Sequence, residues 1–128
     1  MENETPWLPA IQTALQSVRD LYNSQQFDEI TRIYAENIRL FPPNIPEQHG
    51  KAAVVDIFKE MFSLGGTRVE MASIEILKED TDWAMAKQNF TLYSNQGYEL
   101  FTAKMIHTWR RKDGGAEVTL AIWNFDSL

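Results

Sequence analysis

Over 128 residues this chain carries 18 acidic and 12 basic side chains, a formal net charge of −6, and no cysteine. The acidic balance argues against a nucleic-acid partner, which normally meets a basic face, and the lack of cysteine excludes disulfides, thiol nucleophiles and cysteine-ligated metal centres. With only two histidines in the sequence, we expect neither a metal site nor a cofactor.

Hydrophobic residues make up 44% of the chain and charged residues 23%, which is typical of a globular protein. No apolar run approaches the roughly 20 residues that span a bilayer, so we expect no membrane partner. The acidic start MENETP lacks the basic and apolar regions of a secretory signal. We therefore expect residues 1–128 to form a single domain with a cytoplasmic location.

The N-terminal third predicts two helices. Between Pro6 and Tyr22 apolar residues recur at helical spacing, and Thr5 offers an N-cap ahead of the proline in the first turn. A second, shorter helix is predicted over residues 24–37, and its inward-facing side chains are Phe27, Ile30, Ile33 and Tyr34. We expect these two helices to pack as a pair.

A short strand, a loop and a third helix follow. Residues 38–41 predict a strand that ends at Pro42-Pro43, and residues 42–50 predict a loop. From residue 51 to residue 64 the helical pattern returns, and Gly65-Gly66 ends it. The apolar side of this helix carries Val54, Ile57, Phe58, Met61 and Phe62.

The second half predicts four long antiparallel strands, at residues 67–78, 83–93, 98–111 and 118–126. In the first strand the apolar phase slips after Met71, which predicts a bulge or a strong bend. Three helices followed by a run of strands predict an α+β fold, with the helices gathered on one face of a strongly bent sheet.

The last two strands form a hairpin whose register can be predicted. If Asp113-Gly114 makes a two-residue type I′ turn, Lys112 pairs with Gly115 and Arg110 falls opposite Glu117. The same register pairs residues on the apolar face: Trp109 with Val118, His107 with Leu120, and Met105 with Ile122. It leaves four apolar residues on the opposite face, namely Ile106, Ala121, Trp123 and Phe125.

Several strings resemble a known superfamily: YAENIRLFPPN with HGKAAVVDIF, then FTAKMIHTWRRKDGG, and IWNFD near the end. They are similar to the nuclear transport factor 2-like superfamily and, within it, to SnoaL-like, ketosteroid-isomerase-like domains. The resemblance covers nearly the whole chain and implies a cone-shaped, cystatin-like fold, in which three N-terminal helices pack on a mostly antiparallel sheet around a cavity. It also implies a homodimer formed through the outer face of the sheet. Function is not implied, because this superfamily hosts isomerases, cyclases, hydrolases, dehydratases, binding domains and assembly modules.

The resemblance also gives positions for the catalytic groups of ketosteroid isomerases, which are an aspartate base, a tyrosine and a protonated acid. They fall at about Pro42, Val18 and His107. Because proline and valine carry no suitable group, steroid-isomerase chemistry is not expected. His107 stays as a candidate acid or base on a cavity-facing strand, and the alternative is a core histidine that donates a hydrogen bond to a neighbour.

Further side chains are predicted to line the cavity. The predicted set is Val18, Tyr22, Phe58, Phe62, Met105, Trp109, Leu120 and Asn124. Either Gln88 or Asn89 must also point inward. His49 is expected to be exposed on the loop, and the alternative is a position at the rim of the pocket mouth.

Three functions remain open from the sequence. The first is a domain that binds a small hydrophobic molecule without catalysis. The second is a lyase, isomerase or hydrolase with His107 as acid or base. The third is a module for protein assembly, in which the cavity is incidental.

Overall fold

A six-stranded curved sheet and three helices make up the chain, of which this computed structural model describes residues 6–113 and 115–126. The helices are α1 (Trp7–Asn23), α2 (Phe27–Ile30) and α3 (Lys51–Ser63), and a 3₁₀ turn covers Thr31–Ile33. The strands are β1 (Tyr34–Phe41), β2 (Gln48–His49), β3 (Arg68–Glu79), β4 (Trp83–Tyr93), β5 (Glu99–Lys112) and β6 (Gly115–Phe125). Their order in the sheet is β2-β1-β6-β5-β4-β3, with β1 parallel to β6 and every other pair antiparallel.

Helix α1 lies across the sheet because one of its faces is apolar. Five side chains spaced three or four residues apart are buried along it, namely Trp7, Ile11, Leu15, Val18 and Tyr22. The Trp7 indole N–H also donates to the Asp80 carbonyl at 2.7 Å, which ties the start of the helix to the end of β3. The predicted N-cap, Thr5, lies outside the described residues.

The predicted second helix is mostly wrong. Helix α2 covers four residues, and the chain enters β1 at Tyr34, inside the segment that the sequence pattern assigned to the helix. Tyr34 pairs with Val118 of β6, and Ala35 and Ile38 are fully buried. The pairing of β1 with β6 therefore overrides a local pattern that favours a helix.

The end of α3 follows its prediction closely. Gly65 has a φ of +105°, and its N–H donates to Phe62 O while the Gly66 N–H donates to Met61 O. These two bonds form a Schellman motif, in which the left-handed glycine satisfies the last carbonyls of the helix. The turn leads directly into β3.

The predicted bulge in β3 is confirmed. Met71 pairs with Phe90 of β4 and Ile74 pairs with Gln88, so two residues of β3, Ala72 and Ser73, stand opposite one residue of β4. This extra residue bends the strand and breaks the ladder locally.

The hairpin of β5 and β6 follows the predicted register only near its turn. Lys112 pairs with Gly115 and Trp109 with Val118, as predicted, while Gly114 lies outside the described residues. Beyond that point Thr119 forms a bulge, so Thr108 pairs with Leu120. The Thr119 hydroxyl contacts the Thr108 hydroxyl at 2.6 Å, a cross-strand pair that holds the bulge.

This bulge exchanges the two faces of β6. The predicted pairings of His107 with Leu120 and Met105 with Ile122 are wrong, since their partners are Ala121 and Trp123. Residues predicted to face outward, namely Ala121, Trp123 and Phe125, therefore pack against the core. Within the described part of the chain, no helix is both long and apolar enough to cross a bilayer.

Candidate functional site

A cavity of about 60 Å³ lies between the helices and the concave face of the sheet. Its walls come from α1, α3 and five strands, and its lining residues are Leu15, Val18, Tyr22, Tyr34, Leu40, Val54, Ile57, Phe58, Met61, Val69, Met71, Phe90, Met105, Ala121 and Trp123. Apolar cavities stay dry and bind apolar molecules, but one that holds benzene measures about 150 Å³, so the walls of this cavity must move apart to admit a ligand of that size. Three flexible methionines, Met61, Met71 and Met105, allow the walls to adapt to a ligand.

The lining of the cavity contains two side-chain oxygen groups, the hydroxyls of Tyr22 and Tyr34. The Tyr22 hydroxyl donates to the Gly66 carbonyl, so it is already committed to the joint between α3 and β3. The Tyr34 hydroxyl has no hydrogen-bond partner among residues 6–113 and 115–126. Burial raises the pKa of both phenols above the usual value, so both remain neutral. Tyr34 is therefore the uncommitted donor of the cavity.

The predicted lining residues divide into two groups. Val18, Tyr22, Phe58 and Met105 line the cavity. Phe62 lies behind this wall, where its ring contacts Tyr22 at 6.0 Å between centroids.

Leu120 and Asn124 do not line the cavity, contrary to prediction. The bulge at Thr119 turns both side chains to the outer face, where Asn124 is exposed and pairs with Lys104. The prediction fails because the register of β6 shifts by one residue, and a one-residue shift moves every later side chain to the other face.

His107 is buried away from the cavity. Its side chain is 1% exposed, and its Nδ1 accepts a hydrogen bond from the Trp109 indole N–H at 2.5 Å. Because Nδ1 is the acceptor, the ring proton sits on Nε2, which has no partner within the described residues. Burial lowers the pKa of His107 to about 4, so the ring is neutral at physiological pH.

These contacts do not favour an acid or base role for His107. Its one hydrogen-bonded neighbour is an indole, and the structure gives the ring no contact with a carboxylate or a phenol in the described part of the chain. A working acid or base needs access to substrate and a pKa matched to the reaction. Trp109, which was also predicted to line the cavity, does not line it: it is 1% exposed and packs in the core against His107.

The open question between the two amides of β4 is settled in favour of Gln88. Gln88 is 3% exposed on the inner face, whereas Asn89 lies on the outer face and pairs with Lys104. Gln88 does not line the apolar cavity. It lies at the base of a separate polar cleft of about 230 Å³ between α1 and β3.

The remaining polar candidates lie at the surface. His49 is exposed in β2, where its ring contacts the Glu47 carboxylate at 2.8 Å, and Glu47 also pairs with Arg39. Within residues 6–113 and 115–126 no group of three or more histidine, aspartate or glutamate side chains is arranged to hold a metal ion.

Sequence reasoning missed three residues that matter for the cavity. Tyr34 was predicted to face inward from a helix, and it reaches the cavity from β1 instead. Ala121 and Trp123 were predicted to face outward. The pair Thr108 and Thr119 gave no signal of the change in register, because the predicted register also sets these two residues opposite each other.

Comparison with known proteins identifies a family that matches this chain. The family model for the SnoaL-like domain matches residues 15–117. None of the curated proteins gives a significant match to the sequence.

Solved structures share the fold at low sequence identity. An NTF2-like protein with a cystatin-like fold from Novosphingobium aromaticivorans has a TM-score of 0.81 at 12% identity, covering 93% of this chain and 81% of that chain. A ketosteroid isomerase-like protein from Erwinia carotovora atroseptica has a TM-score of 0.75 at 17% identity, covering 94% and 97%. The hexachlorocyclohexane dehydrochlorinase LinA-type3 from Novosphingobium barchaimii has a TM-score of 0.75 at 11% identity, covering 93% and 86%. With the cone-shaped α+β fold and the family match over most of its length, the chain belongs to the SnoaL-like domain family of the nuclear transport factor 2-like superfamily.

Proposed function

We propose that this protein binds a small, neutral, largely apolar molecule in the cavity between α1, α3 and the sheet, and that it does so without ketosteroid isomerase chemistry. The observation that carries the proposal is the lining itself. It combines apolar walls with one uncommitted hydroxyl, on Tyr34. Ligand sites commonly have this composition, in which apolar surface supplies affinity and a few polar groups fix orientation.

The protonation state of the cavity limits the ligand. Both phenols stay neutral, and the described lining carries no charged side chain that would balance a buried ion. Burying an unpaired charge is costly, so a neutral ligand is favoured over an ion. Because a phenol is a good donor, we expect the ligand to carry one hydrogen-bond acceptor that faces Tyr34.

The absence of an acid-base pair supports binding over catalysis. His107 is neutral, sealed and bonded to an indole, and the positions that correspond to isomerase groups hold Pro42 and Val18. A structural neighbour is named as a hexachlorocyclohexane dehydrochlorinase, and the substrate in that name is a small apolar molecule of the kind proposed here as a ligand.

The proposal is tested by filling the cavity from its rim. Met61 lines the cavity on α3, whereas Lys59 lies on the exposed side of the same helix. We expect wild-type protein and Lys59→Trp to bind butylbenzene in calorimetric titrations, and Met61→Trp to bind at least about tenfold more weakly because tryptophan occupies the cavity. Equal affinity in all three proteins, or no binding to the wild type, would refute the proposal.

Tyr34 is tested with a matched pair of ligands. A ketone such as butyrophenone offers the acceptor that butylbenzene lacks. We expect Tyr34→Phe to weaken the ketone by about fivefold to tenfold, since a hydrogen bond contributes about 1 kcal/mol, and to leave butylbenzene unchanged. Equal effects on the two ligands would remove Tyr34 from the proposal.

We also propose that two copies pair through the outer face of the sheet. Ile106 and Ile122 face each other across β5 and β6 on that face and are 37% and 41% exposed, with Met85 and Leu120 in the neighbouring row. An apolar patch in the middle of a sheet is typical of an interface, and an isologous dimer covers it on both copies. Sedimentation velocity at micromolar concentration should give a dimer, and Ile106→Asp should give a monomer. A wild-type monomer would contradict this proposal.

A further inference from the structure

The polar cleft beside the apolar cavity is formed where a helix stripe meets the β3 bulge. Gln12, Gln16 and Arg19 line it from one face of α1, and Ser73 lines it from the bulge. Gln88 of β4 forms its base and is 3% exposed. The cleft, at about 230 Å³, is large enough for several non-hydrogen atoms of a ligand.

Gln88 lines this cleft and carries a buried acceptor that has no partner within the described residues. Its Nε2 donates to the Ala72 carbonyl at 2.8 Å. Because the amide nitrogen is the only donor of the Gln88 side chain, this bond fixes which end of the amide is nitrogen and which is oxygen. Its Oε1 is then left without a hydrogen-bond partner among the residues that the structure describes. A buried acceptor without a donor is unfavourable, so a donor supplied by a ligand would be stabilised here.

The cleft and the cavity share a wall. Leu15 of α1 and Met71 of β3 line both of them, so one layer of side chains separates the two spaces. Met71 precedes the bulge, and the unbranched thioether of methionine changes rotamer at low cost. A rotation of Met71 is the simplest way to connect the two.

We infer that a single ligand spans both spaces, with its apolar end in the cavity and a hydroxyl group in the cleft. The inference rests on the proposed function and names the ligand class as an apolar alcohol or phenol. Gln88 Oε1 accepts from the ligand hydroxyl. Arg19, the one charged residue that lines the cleft within the described chain, favours an oxygen head group over a cation.

Three ligands with the same carbon skeleton test the inference. Butylbenzene has no head group, 4-phenylbutan-1-ol has a hydroxyl, and the methyl ether of that alcohol keeps the oxygen but has no donor. We expect the alcohol to bind the wild type about tenfold to a hundredfold more tightly than the ether, because the ether leaves the buried acceptor unpaired. The side-chain amide resonance of Gln88 should shift with the alcohol only.

Two variants locate the effect. Gln88→Leu removes the acceptor and should make the alcohol and the ether equal. Gln16→Phe fills the cleft from the exposed surface of α1, so it tests the same site if Gln88→Leu does not fold. Ser17→Phe, exposed on the same helix but outside the lining of the cleft, is the matched control and should keep the preference for the alcohol.

The outcomes separate this inference from the proposed function. If butylbenzene binds but the alcohol and ether have equal affinity, the inference is overturned and the proposed function stands. If none of the three ligands binds, both are overturned. A preference for the alcohol that persists in both Gln88→Leu and Gln16→Phe also overturns the inference, since the hydroxyl would then lie elsewhere.

Discussion

Replacing Gly66 by alanine should destabilise the protein through a clash with one buried side chain. A Cβ at this position would lie 2.5 Å from Leu92 Cγ and 3.0 Å from Leu92 Cδ1, whereas carbon atoms pack best at about 3.5–4.0 Å. Leu92 is 2% exposed in the core, so it has no solvent space to move into. Overpacking of this kind costs about 1–3 kcal/mol, or roughly 3–5 °C in melting temperature per kcal/mol for a chain of this length.

A double-mutant cycle measured by urea unfolding tests the cause. Leu92→Ala alone should cost about 2–5 kcal/mol through the space it leaves. In the double variant the methyl group at position 66 enters that space, so the combined loss should fall short of the sum by at least about 1 kcal/mol.

Gly65→Ala is the matched control for this cycle. Its Cβ would meet nothing within 4 Å, and its cost of about 1 kcal/mol would come from the left-handed backbone alone. It should not couple to Leu92→Ala. Additive losses for Gly66→Ala, or wild-type stability of that single variant, would refute the packing argument at the joint between α3 and β3.

Three further predictions concern titration and hydrogen bonding. The pKa of His107 in the folded protein, about 4, lies below the ordinary value of 6.5. The neutral ring therefore contributes fully to stability above pH 6.5, and this contribution of about 3 kcal/mol is lost as pH falls towards 4. Stability measured from pH 7 to pH 4 should therefore fall less steeply in His107→Leu, and a ring that titrates near 6.5 by NMR would contradict the burial. Burial alone would raise the pKa of Glu117, but the hydrogen bond and the charge of the Arg110 guanidinium, 2.6 Å away, hold that pKa below 4.5. The contribution of Glu117 to stability is therefore present above pH 4.5 and is lost as pH falls below it. Glu117→Gln should reduce the slope of stability against pH in this acid range. Tyr22→Phe should cost about 1 kcal/mol of stability because the hydroxyl donates to a backbone carbonyl. Tyr34→Phe should change stability by less than about 0.5 kcal/mol. Equal losses of the two variants in urea unfolding would refute this difference in hydrogen bonding.

The parts of the fold that depend on local chemistry could be predicted from sequence. The apolar spacing of α1, the glycine pair after α3 and the run of residues 83–93 each carry their own signal, and each element lies where that signal indicates. The prediction of the second helix failed because residues 34–37 join the sheet by pairing with β6. This partner is distant in the sequence, so no local pattern indicates it.

The candidate site was harder to predict because it depends on one bulge. A hairpin register propagated from the turn is correct as far as Trp109 and Val118, and the extra residue at Thr119 then reverses the faces of β6. Ala121 and Trp123 enter the cavity as a result, and Asn124 leaves it. His107 keeps its predicted inward direction, but the position of the cavity relative to that ring is a tertiary property that a single chain does not reveal.

The central claim, that the cavity binds a small apolar molecule, is tested most directly by methyl NMR of methionine during a titration with butylbenzene. Met61, Met71 and Met105 line the cavity, while Met85 lies on the outer face of β4 opposite Thr108 and serves as an internal control. The account predicts that the three cavity methyl resonances shift together and saturate while that of Met85 stays in place. Unchanged cavity resonances at saturating butylbenzene, or shifts confined to Met85, would contradict it.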